Sequence, residues 1–106
     1  MILDHHQFTY RLFHSIQTNA NIYDIKNLLR KISQINLNSM KYDGQTLIHC
    51  CCLYNRLDLL KLFIEYGDCD ILQNNDDGWL PIHVAIYLGY MDIVYYLLQY
   101  SLESIM

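Results

Sequence analysis

Two stretches of this chain are the same stretch written twice. DGQTLIHCCCLYNRLDLLKLFIEYG begins at Asp43, and DGWLPIHVAIYLGYMDIVYYLLQYS begins at Asp77. At an offset of 34 residues, Gly44 falls on Gly78, Ile48 on Ile82, His49 on His83 and Asp58 on Asp92. A period of this length constrains the fold more than any composition does. Each copy is one supersecondary unit too small to bury its own apolar face, so copies must stack. Within each copy Asp-Gly makes a turn. Thr46 suits a helix N-cap, and Pro81 suits a first helical turn. The first helix should run to about Tyr54 or Leu88 and close on a left-handed residue, Asn55 or Gly89. An acid, Asp58 or Asp92, then opens a second helix at the positive end of its dipole. The expected core face of that helix is Leu59, Leu60, Phe63 and Ile64 in one copy, and Ile93, Val94, Leu97 and Leu98 in the other. Residues 67–78, GDCDILQNNDDG, connect the copies as a finger with one extra residue.

TLIH at Thr46 and LPIHVA at Leu80 are each a partial T-P-L-H-x-A, the ankyrin signature. A degenerate copy precedes them. YRLFHSIQTNANIYDIKNLLRK carries two helical patterns broken at Thr18–Asn21. Leu12, Phe13 and Ile16 form one apolar stripe, and Ile25, Leu28 and Leu29 form the next. With 4 Gly and 1 Pro, the chain has too few breakers for a many-turned β-sandwich. The expectation is an all-α ankyrin-repeat solenoid of three repeats in one domain, residues 1–106. Residues of about 8–42 would be a capping repeat, 43–76 the second repeat, and 77–106 the third with a tail.

Apolar residues make up 53% of the chain and charged ones 17%, which argues against disorder. The first twenty residues hold Asp4, His5, His6, Arg11 and His14, so no apolar run there resembles a leader or a membrane span. The chain reads as intracellular, with its four cysteines as thiols. Charge is unevenly placed. All seven Lys and Arg lie in residues 1–61 against four acids, a net +3, and residues 62–106 carry seven acids and no Lys or Arg, a net −7. The acidic half disfavours nucleic acid, and the basic half is too sparse for a phosphate-binding surface, so no direct nucleic-acid binding is expected.

The run HCCCLYN, from His49 to Asn55, suggests zinc or redox chemistry at first sight. A structural zinc site needs four ligands, and the chain has no CxxC pair. In the repeat register Cys51 and Cys52 occupy slots usually held by alanine, where only small side chains fit; Cys51 matches Ala85. Packing is therefore the favoured reading, with metal or redox sensing as its rival. His49 and His83 are expected to hydrogen-bond between repeats. Thr46 can orient His49, whereas Leu80 offers His83 no hydroxyl. Gly44 and Gly78 belong to the turns of the same motif. No phosphate loop, nucleophile triad or paired-carboxylate motif is present, so neither an enzyme nor a cofactor is expected. Lys26, Arg30 and Lys31 share about one helical face, expected to be solvated or to meet an acidic protein.

The third repeat ends abnormally. Solenoids normally finish on a polar outer face. Here Ile86 stands where an alanine is usual, Tyr95 where the previous repeat has Lys61, and Tyr87, Tyr90, Tyr96, Tyr100 and Trp79 add aromatic area. Tyrosine suits interfaces because it joins apolar area to a polar tip. The expected protein interface is Trp79, Ala85, Ile86, Tyr87, Tyr90 and Tyr95, covered by another protein that continues the stack. The alternative is that the tail from Ser101 folds over this face.

TYRLF (Thr9–Phe13), LNSMKYDGQTLIH (Leu37–His49) and DGWLPIH with GYMDIVYYL (Asp77–Leu97) resemble the Notch-regulated ankyrin repeat proteins. T-x-R-[IL]-F is the most useful match because it lies outside the generic repeat. The resemblance implies a negative regulator of Notch signalling in the nucleus and cytoplasm. It would bind the ankyrin repeats of the Notch intracellular domain together with the DNA-bound CSL transcription factor. No membrane or small-molecule substrate is implied. Myosin-phosphatase targeting subunits share Gly-Trp before the histidine and Gly-Tyr-x-Asp-Ile after it. A generic ankyrin scaffold, phosphatase-targeting or a viral signalling decoy, is thus the alternative.

Overall fold

The computed structural model describes residues 5–30 and 36–105. Six α-helices follow in order: α1 (His5–Gln17), α2 (Ile22–Arg30), α3 (Leu47–Leu53), α4 (Leu57–Glu65), α5 (Pro81–Leu88) and α6 (Met91–Ile105). A 3-10 turn, Leu37–Ser39, and a bridge between Tyr42 and Gln45 lie in the first finger, and no strand is present among the described residues. The helices stack as antiparallel pairs. Central α3 packs on α1, on α5 and on its own partner α4, while α2 packs on α4 and α5 on α6. This is an ankyrin solenoid of three repeats, with α1, α3 and α5 in one layer and α2, α4 and α6 in the other.

Local chemistry sets the element boundaries. Thr46 caps α3, accepting the His49 amide hydrogen at 3.2 Å. Pro81 opens α5. Asn55 (φ 55°) and Gly89 (φ 77°) adopt the left-handed conformation just past α3 and α5, so both inner helices stop as the motif requires. Asn21 starts α2, its side-chain oxygen accepting from the Tyr23 amide at 2.7 Å. Arg56 ties the break before α2 to the second repeat. Its guanidinium donates to the Ala20 carbonyl at 2.8 Å and pairs with Asp58 at 3.1 Å. That hydrogen bond from Arg56 is the main influence holding the Asp58 carboxyl below its ordinary range.

The core follows the repeat. Leu12, Phe13, Ile16, Ile25, Leu29, Leu59, Leu60, Phe63, Ile64, Ile93, Val94 and Leu97 are all buried. Phe8 and Met40, which the helical stripes do not mark, are buried with them. Leu98 departs from expectation and is 48% exposed. It matches Ile64, which is buried in the second repeat. The same position is covered in one repeat and open in the next. Residues 101–105 continue α6 as helix rather than folding over the third repeat.

Candidate protein-interaction surface

His49 is the pivot between the second and third repeats. It is fully buried, and its Nε2 lies 2.6 Å from the Trp79 carbonyl. A carbonyl only accepts, so Nε2 carries the proton. Nδ1 lies 2.7 Å from Thr46 Oγ1, which donates to it. Burial is the main cause that lowers the His49 pKa from its ordinary value, so the ring is neutral. Both nitrogens are engaged with protein and neither is available to a metal. Burial likewise pushes Cys50 up to about 11, Cys52 and Cys69 to about 12, and Cys51 well above the ordinary thiol range. Protonated, buried thiols are weak ligands and weak nucleophiles. Cys51 and Cys52 are both wholly buried in the hydrophobic core.

The finger that follows presents Trp79. Buried Asn75 is its hub. The Asn75 side-chain oxygen accepts from the amides of Asp77 (3.0 Å) and Trp79 (2.9 Å), and its amide donates to Gln45 at 3.1 Å. Asn75 lies outside the repeat motif, and its one signal in the sequence is the Asx-turn pattern of an Asn three residues before a turn glycine. Gly44 and Gly78 both have positive φ, as their turns require. Trp79 then stands edge-on to His83 (6.2 Å) and to Tyr87 (5.9 Å).

Asp77, Gly78, Trp79, His83, Ile86 and Tyr87 line a shallow depression of about 470 Å³. Trp79 is 41%, Ile86 55% and Tyr87 78% exposed. In the second repeat, by contrast, the register equivalents of His83 and Ile86, which are His49 and Cys52, are 0% exposed. The third repeat therefore displays the surface that the second repeat buries against its neighbour. Tyr95 is exposed as well, and Tyr90 is half-buried against the core.

Two expected residues, Ala85 and Lys26, sit elsewhere. Ala85 is fully buried, so it belongs to helix packing and not to the surface; its match to Cys51 already places it between helices. Lys26 is half-buried with its ammonium 5.9 Å over the Tyr66 ring, so it faces the second repeat. Arg30 is exposed, and Lys31 lies outside the described residues. His83 also differs from expectation. Its Nδ1 accepts from the amide of Leu80 at 3.1 Å, replacing from the other direction the cap that Thr46 gives α3. Tyr96 and Tyr100 stack together beside α4, where Tyr96 donates to Glu65 at 2.9 Å.

A family model of ankyrin repeats in three copies matches residues 12–105. The Notch-regulated ankyrin repeat-containing protein of Xenopus laevis is 37% identical over 101 residues, covering 91% of this chain and 88% of that protein. Its Homo sapiens counterpart is 35% identical over 92 residues, 85% of this chain and 80% of that one. Protein phosphatase 1 regulatory subunit 27 of Mus musculus is 35% identical over 66 residues, 62% of this chain and 42% of that protein. The chain is an ankyrin-repeat protein and belongs to the family of Notch-regulated ankyrin repeat-containing proteins. No helix among the described residues is long and apolar enough to cross a membrane.

Proposed function

We propose that this protein is a non-enzymatic adaptor in Notch signalling, acting as a negative regulator in the nucleus and cytoplasm. Its third repeat docks onto the ankyrin stack of the Notch intracellular domain, in company with the CSL transcription factor. It contacts no nucleic acid directly and needs no cofactor. One observation carries this reading: Trp79, Ile86 and Tyr87 line one exposed depression, and Tyr95 and Leu98 are exposed as well, on the repeat where a solenoid should be polar. Rigid aromatic anchors around a shallow apolar depression are what interface hot spots use. The likeness to relatives named for Notch regulation supplies the partner. Arg30 on the basic first repeat is free to meet a second protein.

The experiment is capture of the Notch ankyrin domain, with CSL on DNA, by the wild-type protein and by Trp79→Glu. Loss of capture by the folded variant supports the proposal, and equal capture removes it. The partial likeness to a protein phosphatase 1 regulatory subunit favours one rival, a phosphatase-targeting scaffold. Recovery of a phosphatase catalytic subunit without Notch or CSL would select that rival.

A further inference from the structure

Two polar groups of the second repeat reach across to the third. His49 Nε2 donates to the Trp79 carbonyl at 2.6 Å, and the Gly44 carbonyl accepts the Asp76 amide hydrogen at 2.9 Å. Both are answered by main-chain atoms of one finger turn, Asp76 to Trp79. Shifted by one repeat, the corresponding groups are His83 Nε2 and the Gly78 carbonyl. Neither has a hydrogen-bond partner among the described residues. His83 is nonetheless set up to donate. Its Nδ1 accepts from the Leu80 amide, which leaves Nε2 as the N–H donor, as in His49. Trp79, at an interplanar angle of 84°, holds the ring edge-on and gives that N–H a defined direction. The space beside Gly78 is open too. A Cβ at Gly44 would meet Asp76 at 3.2 Å, whereas one at Gly78 would meet nothing within 4 Å.

We infer that His83 and Gly78 form a two-point reader of main chain, taking the finger turn of an ankyrin-type repeat in the partner. His83 Nε2 donates to a backbone carbonyl of that turn, and the Gly78 carbonyl accepts a backbone N–H three residues earlier in it. The inference rests on the docking reading above and states how the docked register is set. Apolar faces such as Ile86 and Tyr87 attract but tolerate sliding. A buried N–H without an acceptor is penalised, so the hydrogen bond selects one position. The occupant is read from the molecule itself, because the interface between the second and third repeats continues into this face. The charge agrees: exposed Asp77 lines it, and no Lys or Arg follows Lys61 in the sequence, so a partner turn with a basic flank fits.

The test uses the intact protein with the Notch ankyrin domain as the probe. Nitrogen-15 spectra of the imidazoles should show the His83 Nε2 proton in rapid exchange when free. In the complex it should become a protected, downfield signal like that of His49. His83→Phe should bind roughly tenfold more weakly, the size of one hydrogen bond lost at a buried contact. If Trp79→Glu abolishes binding while the His83 proton stays unprotected and His83→Phe binds normally, the inference fails and the docking reading stands. If Trp79→Glu binds like wild type, both fail. If sedimentation shows that the face pairs two copies of this chain, the occupant assigned here is wrong.

Discussion

Neutral His49 joins two repeats through a donor at one ring nitrogen and an acceptor at the other. Replacing it with Phe leaves the Thr46 O–H without its acceptor and removes one of two donors to the Trp79 carbonyl, which keeps the Asn75 amide, and should cost about 1–2 kcal/mol in urea unfolding. The same ring makes stability depend on pH. Its folded pKa lies below the ordinary 6.5, so the folded state binds fewer protons than the unfolded state in that window. The stability it contributes is complete above about pH 6.5 and is lost as pH falls through the folded value. Urea midpoints should therefore drop between about pH 7.5 and about pH 5.5, and His49→Gln should flatten that slope. The cysteines are quieter. Cys51→Ala and Cys52→Ala trim small buried side chains and should each cost no more than about 1–1.5 kcal/mol, with binding unchanged. His49 and the cysteines were legible because the motif and the repeat register name their slots. His83 was not, since its cap depends on the backbone amide of Leu80, which no residue type announces.

At the scale of elements, the finger before α5 decides how Trp79 is presented. Asn75→Ala removes three hydrogen bonds from that finger and should lower stability by about 1–2 kcal/mol. It should weaken docking more than Cys52→Ala does, as titration of both variants with the partner would show. Ala85 teaches the opposite lesson. A bulky residue there overpacks the buried side of α5 and should destabilise the fold by at least about 1–3 kcal/mol, so lost binding would not report on the surface. The helical stripes of α2 and α4 were readable from apolar spacing. Phe8, Met40 and the Arg56 bond to Ala20 were not, because they depend on contacts between segments distant in sequence. Leu98 misled because spacing gives the inward stripe of a helix but not whether another repeat covers its flank.

The whole molecule is a polarised stack. Its first two repeats carry all the basic residues, and its third ends in an exposed aromatic face and contributes acids but no Lys or Arg of its own. Period and motif made the fold legible, while composition and charge could not name a partner. The most direct measurement is the affinity of the folded protein for the Notch intracellular ankyrin domain with CSL on DNA, compared with Trp79→Glu and Ile86→Asp. Both substituted side chains are exposed, so circular dichroism and melting should stay near wild type. The account predicts that each variant loses at least about 2 kcal/mol of binding, more than tenfold in affinity. Wild-type affinity in both folded variants would contradict it.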